Sequence, residues 1–364
     1  MNNSYTYAVV SLKAIKQNLS TIRHLLNPGI PVMGVVKSDA YGHGIIEVSH
    51  ALEDAGINTL GIAFVHEGII LRKAGIYLPI YVLSGFQKGE EEAVIKNNLI
   101  PIVYNTEQIK SLNKTAAKLR KRAAVHLKFD TGMGRLGFLE SDKGEIEKIL
   151  VHTSNINITG IASHLSDALN SPSYSRMQIN RFRNLYKWLK GIPGHQNITG
   201  HIANTGALIT YPESQFDMVR VGIGLYGYGD KNLAPAMSVF TSLISVKMLK
   251  KGTYISYGRT ARLRHDTRIG VLPIGYADGY NRMLSNKGWV GINGKKAYTS
   301  GVVTMNHTMV RLDDIKAKIY DRVLVMGNDK GVSITAEDIA ESCSTISYEI
   351  LCALGSHIRK QYKS

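Results

Sequence analysis

The sequence predicts an α/β protein with an N-terminal (β/α)8 barrel followed by a C-terminal, mostly-β domain. Over roughly the first two-thirds of the chain, short apolar and β-branched runs alternate with helical patterns, which is typical of βα units around a parallel sheet. After Tyr228 this alternation stops, and strand-like segments follow one another with glycine, asparagine and aspartate between them. The two patterns therefore indicate two different architectures in one chain.

Eight runs are candidates for barrel strands, and helical patterns such as 67–74, 106–119 and 174–189 lie between them. Eight consecutive units favour a closed barrel of roughly 220 residues, although a doubly wound open sheet could contain the same alternation. The eight predicted strands are 32–36, 59–65, 79–83, 99–104, 123–129, 156–163, 197–202 and 217–221.

The segment 229–237, with the sequence GDKNLAPAM, is predicted to be a linker. We therefore expect a barrel domain over residues 1–230 and a β-rich domain over residues 231–364. Within the second domain, helical periodicity returns only near 336–342.

Composition excludes several classes of protein. The 364 residues are 44% hydrophobic and 20% charged, as in a globular protein with a large core. The N-terminus lacks the apolar stretch of a signal peptide, and no run of about 18 apolar residues could span a membrane. The two cysteines, Cys343 and Cys352, cannot build a disulfide framework and lack the spacing of a zinc site. We expect a cytoplasmic protein with neither a metal nor a membrane partner.

The formal net charge of +16 is high enough to raise the question of a polyanionic partner. The lysines are scattered, and the densest basic cluster, KLRKR at 118–122, ends a helical pattern. No helix-turn-helix, aromatic-and-basic strand motif or zinc knuckle is present. A solvated basic surface without a nucleic-acid partner is the favoured interpretation, and a binding protein for polyanions is the alternative.

Functional groups of barrel enzymes gather at the C-terminal ends of the strands. Lys37 follows the apolar run PVMGVV directly. A lysine in such a place loses its charge easily, which suits Schiff-base chemistry with a carbonyl cofactor. The alternative is a lysine that merely emerges from the end of a strand.

The residues around this lysine favour the first interpretation. The segment 31–44, PVMGVVKSDAYGHG, resembles the pyridoxal-phosphate lysine motif of the alanine racemase family at nearly every position. The resemblance implies that Lys37 binds pyridoxal 5'-phosphate covalently and that Tyr41 lies beside the cofactor. It also implies the fold of this family, a barrel followed by a β domain.

Two further segments resemble family segments that contact the substrate or the cofactor ring. HLKFDTGMGRLGF (126–138) is similar to the family's K-x-D-T-G-M-x-R, which implies that Arg135 contacts the substrate carboxylate. Lys128 then corresponds to a lysine that is carbamylated in many relatives; the alternative is an ordinary exposed lysine. GIASHLSDA (160–168) resembles the segment whose histidine, here His164, packs against the pyridine ring.

HIANTGAL (201–208), DMVRVGIGLYG (217–227) and ISYEIL (346–351) resemble the segments that bind the cofactor phosphate and ring. Backbone N–H groups at a helix start suit an anion. The residues that the resemblance places at the phosphate are Asn204, Thr205, Gly222, Ile223 and Tyr348.

Arg220 is placed by the same resemblance against the pyridine nitrogen. A guanidinium is in practice never deprotonated, so it leaves that nitrogen unprotonated and makes the cofactor a weak electron sink. This argues against transamination and for the exchange of one α-proton between two bases.

The second base is expected from the β-rich domain. ISYGRTARL (255–263) resembles the family's Y-G-R motif, which makes Tyr257 the partner of Lys37 on the opposite face of the substrate. A free tyrosine has a pKa near 10, so it needs cations or hydrogen bonds around it to act at neutral pH. The resemblance also implies that Tyr276 lies near the substrate path and that the backbone N–H of Met305 binds the substrate carboxylate.

The chain departs from the family at two places. Asn306 and His307 stand where the family usually has aspartate and glutamine, and the C-terminal segment 357–362 reads HIRKQY instead of arginine–proline–arginine. Because Asn306 removes a negative charge near the substrate, a racemase of serine, lysine or a broader range of amino acids is an alternative. The Y-G-R motif opposes a basic-amino-acid decarboxylase, and the long β-rich domain opposes a non-catalytic pyridoxal-phosphate carrier.

The resemblance as a whole implies an isomerase that interconverts L-alanine and D-alanine and supplies D-alanine for peptidoglycan. It further implies a head-to-tail homodimer with shared active sites. In such a dimer, Tyr257 and Met305 of one subunit face Lys37 of the other.

Overall fold

The computed structural model describes residues 5–364. Within them it forms two compact units: one comprises 16–38 and 45–233, and the other comprises 5–15, 39–44 and 234–364. No helix in the described part of the chain combines the length and the apolar composition needed to span a membrane.

The first unit contains the predicted barrel of eight parallel strands. The first seven strands pair in chain order, each with the next, and the first also pairs with the eighth, with Met33 opposite Arg220. The segments that contain the seventh and eighth strands are joined by two backbone hydrogen bonds, from Asp217 N to Gly200 O at 3.1 Å and from Arg220 N to Ala203 O at 3.0 Å. The strands are Val32–Val35, Thr59–Ile62, Ile80–Val82, Leu99–Val103, Ala123–Lys128, Ile156–Ala162, Thr199–His201 and Val219–Val221.

This arrangement confirms the barrel and excludes the open sheet, because the hydrogen bonds from Asp217 N and Arg220 N join the two ends of the strand order, which an open sheet would leave apart. Most strand residues are buried, as expected for parallel strands covered by helices. Each of the eight predicted strands is present and is one to three residues shorter than predicted. The α-helices that accompany the barrel are Leu12–His24, Ile45–Asp54, Val65–Lys73, Glu91–Lys96, Thr106–Lys118, Lys143–Val151, Pro172–Gly191 and Thr205–Thr210.

The second unit is mostly β structure, as predicted. Its largest sheet contains, in spatial order, Lys295–Tyr298, Trp289–Ile292, Arg322–Asp329, Met237–Ser242, Tyr7–Ser11 and Arg359–Lys363, with Val332–Ile334 beside Arg322–Asp329. A three-stranded sheet contains Ser245–Leu249, Thr267–Leu272 and Thr308–Arg311, and Tyr254–Ile255 pairs with Ala261–Arg262. The helices Ala336–Cys343 and Ser347–His357 complete this unit.

The compact units differ from the predicted domain limits at the N-terminus and at residues 39–44. Strand Tyr7–Ser11 pairs antiparallel with Met237–Ser242 and parallel with Arg359–Lys363, so it belongs to the β-rich unit. The two pairings join parts of the chain more than two hundred residues apart, and this separation explains why a local pattern does not predict them.

Candidate active site

The backbone that follows the first barrel strand adopts an unusual conformation. Lys37–Tyr41 forms one short helical turn in which four consecutive non-glycine residues have positive φ. Each left-handed residue of this kind costs about 1–2 kcal/mol, so contacts elsewhere must hold the turn. The φ values are 55° for Ser38, 54° for Asp39, 53° for Ala40 and 55° for Tyr41.

Glu67 holds the first part of this turn. Its buried carboxylate accepts a hydrogen bond from the backbone N of Ser38 at 2.6 Å, and from Ala63 N at 2.7 Å and Phe64 N at 3.1 Å. The backbone next to Lys37 is thereby tied to the end of the neighbouring strand. Sequence analysis did not identify Glu67, although its position three residues after Phe64 is that of an acidic residue in a capping box.

The second part of the turn is held within the β-rich unit. A Cβ at Gly42 would lie 2.5 Å from the carbonyl oxygen of Leu351, and one at Gly355 would lie 2.2 Å from that of Gly42, so both positions require glycine. Lys360 Nζ donates to a carboxylate oxygen of Asp39 at 2.8 Å. These contacts fix the backbone on both sides of Tyr41.

Arg220 lies in the last barrel strand and is only 6% exposed. One of its terminal nitrogens, Nη1, donates to His201 Nδ1 at 2.6 Å and to His201 O at 2.9 Å. The other, Nη2, donates to the carbonyl oxygens of Ser163 at 2.7 Å and Ile202 at 3.1 Å, and to His164 Nδ1 at 3.1 Å. Five acceptors fix the plane of the guanidinium, and none of them is a carboxylate.

Burial lowers the pKa of Arg220 to about 10, so the guanidinium is charged at neutral pH. Burial and then the charge of Arg220 lower the pKa of His164 and of His201 well below the usual value, so both imidazoles are neutral. Arginine can only donate, so the Nδ1 atoms of both histidines must be unprotonated. His201 is a site residue that sequence analysis did not single out.

Lys128 ends the strand Ala123–Lys128 and is 9% exposed. Burial, followed by the positive charges of Arg220, Arg135 and Lys37, lowers its pKa to about 8, while Asp130 acts in the opposite direction. The predicted site residues on this rim of the barrel therefore form a cluster of cations. Such a cluster favours anionic ligands.

Asp130 fixes the loop that carries Arg135. One carboxylate oxygen accepts from Gly132 N at 2.8 Å and Met133 N at 2.7 Å, and the other accepts from Arg135 N at 3.1 Å. Burial alone would raise the pKa of Asp130, but these backbone hydrogen bonds lower it below the usual value. The side chain of Arg135 is exposed above this fixed loop.

Four of the five predicted phosphate residues, all except Tyr348, lie at two helical turns of the first unit. Asn204 caps the helix Thr205–Thr210 by accepting from Ala207 N at 3.0 Å. Thr205 Oγ1 accepts from Gly224 N at 3.3 Å, and a Cβ at Gly224 would lie 2.9 Å from Thr205 Cγ2. Glycine therefore lets the two turns approach closely, and the first N–H groups of such turns lack partners inside the turn.

Gly222 and Ile223 begin the second of these turns, which is buried and spans Ile223–Tyr226. Tyr226 Oη donates to the carbonyl oxygen of Val35 at 2.9 Å, which ties the turn to the strand before Lys37. Sequence analysis did not identify this contact.

Tyr41 and Tyr348, both predicted to contact the cofactor, lie side by side in the β-rich unit. Their ring centroids are 5.8 Å apart, and the planes are tilted by 47°. Burial raises the pKa of both phenols, so they remain protonated donors at neutral pH.

The remaining predicted residues, Tyr257, Tyr276 and Met305, line one surface pocket of the β-rich unit together with Asn306 and His307. The side chains are open to solvent: Tyr257 is 75% exposed, Met305 55% and Tyr276 44%.

The backbone below this pocket is closely packed. Tyr276 N donates to Thr304 O at 3.1 Å, and Ala277 N donates to Met305 O at 3.0 Å. A Cβ at Gly275 would lie 2.2 Å from Thr304 O, so only glycine permits these contacts. The loop that carries Met305 therefore has a fixed backbone and exposed side chains.

Tyr257 itself stands between two residues with positive φ, Ser256 at 66° and Gly258 at 68°. Ser256 Oγ donates to the carbonyl oxygen of Val302 at 2.7 Å and so secures this strained turn. The phenol is thus presented from a constrained backbone.

Comparison with known proteins gives a consistent result. Residues 10–230 match the family model described as alanine racemase, N-terminal domain, and residues 236–362 match alanine racemase, C-terminal domain. An alanine racemase of Thermodesulfovibrio yellowstonii is 41% identical over 362 residues, which cover 98% of each chain.

Solved structures of alanine racemases are similar over nearly the whole chain. The enzyme from D-cycloserine-producing Streptomyces lavendulae has a TM-score of 0.95 and 30% identity, covering 100% of this chain and 98% of the other. The enzyme of Bartonella henselae, described with covalently bound pyridoxal phosphate, has a TM-score of 0.89 and 28% identity, covering 98% and 99%.

Proposed function

This chain belongs to the alanine racemase family, and we propose that it interconverts L-alanine and D-alanine with pyridoxal 5'-phosphate bound covalently at Lys37. The observation that carries the proposal is the cluster of cations around Lys128 at the barrel rim, where burial and Arg220, Arg135 and Lys37 lower the pKa of Lys128. A cofactor phosphate and a substrate carboxylate are anions that suit this cluster.

The residues present fit the cofactor. Asn204, Thr205, Gly222 and Ile223 would hold the phosphate at two turns whose close approach depends on glycine, and Tyr348 would add a phenol beside Tyr41. The charged Arg220 would face the pyridine nitrogen, and His164 would pack against the ring. When bound, pyridoxal phosphate supplies an electron sink that makes the α-proton of the amino acid removable.

Lys37 and Tyr257 act as the two bases in this proposal. Lys37 Nζ accepts the α-proton of D-alanine, and Tyr257 Oη delivers a proton to the opposite face; the roles are exchanged in the other direction. Arg135 and the backbone N–H of Met305 hold the substrate carboxylate, and Tyr276 lies beside the substrate path. A carbamylated Lys128 would give Arg135 an anionic neighbour in place of a cation.

We further propose a homodimer in which Tyr257 and Met305 of one subunit complete the site at Lys37 of the other. The exposure of Tyr257 supports this, because a phenol that is 75% exposed is not in the environment that a general base requires. D-alanine made in this way, in the cytoplasm, would serve peptidoglycan synthesis.

Borohydride reduction followed by peptide mapping tests the cofactor site. We expect the purified protein to be yellow and the pyridoxyl group to be found on Lys37. A label on another lysine, or no label, would contradict the proposal. Incubation with each L-amino acid in turn, scored for the D-product, tests the substrate; alanine should react fastest.

A further inference from the structure

The candidate active site contains a buried hydrogen-bond chain that continues beyond Arg220. Nε2 of His201 lies 2.8 Å from Nδ1 of His126, a residue of the barrel strand Ala123–Lys128, from which Thr199–His201 is separated by one strand. Both histidines are fully buried, with exposures of 0% and 1%. His126 is two residues from Lys128 on the same strand, so the two side chains face the same side of the sheet.

The chemistry of the side chains fixes the direction of donation along this hydrogen-bond chain. Arg220 can only donate, so Nδ1 of His201 is an acceptor and the proton of this neutral imidazole is on Nε2. His201 Nε2 therefore donates to His126 Nδ1, and the proton of His126 is on its own Nε2. The order of donation is Arg220 to His201 to His126.

The last group of the hydrogen-bond chain, the ring of His126, is costly to bury. Within residues 5–364, Nε2 of His126 has no hydrogen-bond partner, and its ring stands edge-on to Tyr81 with centroids 4.9 Å apart. Burial and then the charge of Arg220 lower the pKa of His126 to about 3, so the ring is neutral. An apolar side chain would avoid the unpaired N–H, so packing alone does not explain an imidazole here.

The neighbouring strand leaves space for this ring. A Cβ at Gly160 would lie 2.3 Å from Cε1 of His126 and 2.5 Å from each ring nitrogen, so alanine at this position would displace the imidazole. The position of His126 is thus determined from two sides, by His201 and by the gap at Gly160.

We propose that His126 is a positioning residue: it accepts the proton of His201, which keeps His201 oriented to accept from Arg220 and holds the guanidinium in its plane. The effect on turnover rests on the proposed function, in which Arg220 faces the pyridine nitrogen. The hydrogen-bond chain itself does not depend on a bound cofactor.

Nuclear magnetic resonance of the full-length protein labelled with [15N]histidine tests the chain directly, with and without pyridoxal phosphate. We expect His201 protonated on Nε2 and a scalar coupling across the N–H···N hydrogen bond to His126 Nδ1. Protonation of His201 on Nδ1, or absence of that coupling, would overturn the proposal even in an active enzyme.

Variants test the effect on the reaction. His126→Leu should lose the coupled signal and lower kcat by about threefold to tenfold, the effect of one hydrogen bond, with KM changed less than about twofold. His126→Asn should recover most of kcat, because its amide oxygen takes the place of Nδ1. Gly160→Ala should reproduce the effect of His126→Leu, which keeps the test available if the leucine variant does not fold.

Gly34→Ala is the matched control, because the atoms nearest to its Cβ would be side-chain atoms of Leu52 and Ile57, at 3.2 Å or more. It should leave the histidine signals unchanged. If His126→Leu loses the coupling but keeps kcat within about twofold, the positioning role is wrong. If the wild-type protein neither binds pyridoxal phosphate nor racemises alanine while the coupling is present, the proposed function fails instead.

Discussion

The barrel rim and the loops of the β-rich unit present their functional groups in opposite ways. Arg220 is 6% exposed and is held by five acceptors, and Lys128 is 9% exposed with a lowered pKa. Tyr257 is 75% exposed and Met305 55%, although the backbone under both is fixed. The side chains of the rim are held by contacts within the barrel unit, whereas the loops leave their functional side chains open to water.

The largest effect is expected from Tyr257→Phe. Loss of this hydroxyl should lower racemisation by about 10²–10⁴-fold, the contribution of a positioned general base, while pyridoxal phosphate still binds at the intact rim. Exchange of the α-proton in heavy water should be lost for L-alanine and retained for D-alanine. Near-normal racemisation in both directions would refute the two-base scheme.

The difference in burial leads to a second prediction, on stability. Arg220→Leu should lower the free energy of unfolding by about 2–3 kcal/mol, because it leaves buried acceptors at His201 and Ser163 without a donor. Tyr257→Phe should change it by less than about 0.5 kcal/mol, since the phenol is exposed. Urea denaturation of the cofactor-free proteins measures both values, and equal losses would remove the distinction between the two regions.

Lys128 gives a third, pH-dependent prediction. Its folded pKa of about 8 lies below the ordinary lysine value, so the folded state disfavours the protonated form. Stability of the cofactor-free protein without bicarbonate should therefore rise by about 1 kcal/mol between pH 7 and pH 9. Lys128→Met should lack this rise; an unchanged pH dependence in the variant would assign the effect to another group.

The same pKa favours carbamylation, because about a quarter of Lys128 side chains would be neutral at pH 7.5. Addition of [13C]bicarbonate should give a carbamate signal with the wild-type protein and none with Lys128→Met. A signal of equal strength in the variant would place the modification elsewhere.

The smallest effect is expected at Asn306, in the exposed loop. Asn306→Asp introduces a negative charge in the pocket that Tyr257 and Met305 also line, and it should change KM and the preference among alanine, serine and lysine more than it changes cofactor binding. The ratios of kcat/KM should change by more than about twofold, or roughly 0.4 kcal/mol. Smaller changes would show that Asn306 does not determine specificity.

The two regions also differ in how far the sequence predicts them. Local pattern identified all eight barrel strands, because buried parallel strands are continuous apolar runs. The pairing of Tyr7 with Phe240 could not be predicted, since it depends on a partner far along the chain. Four left-handed residues after Lys37 contradict local preference, and contacts with distant parts of the chain, including those of Glu67, Gly42 and Gly355, hold them.

Family motifs predicted most of the residues named at the candidate site but not the groups that hold them in place. His126 and His201 lie inside the family-like segments 126–138 and 201–208. The local sequence does not show that their rings meet, because they belong to two strands that are not adjacent in the barrel. The spacing of His126 and Lys128 could have indicated that His126 lies on the same face of the strand as Lys128, since alternate residues of a strand share a face.

The central claim is that the two bases of one site come from two chains, and mixed dimers test it most directly. Lys37→Ala and Tyr257→Phe proteins, each nearly inactive alone, are unfolded together and refolded in equal amounts. Random pairing makes half of the dimers mixed, and each mixed dimer has one intact site of two, so about a quarter of wild-type activity should return. If both bases came from the same chain, no mixed dimer would contain an intact site, and the absence of any recovery would contradict the account.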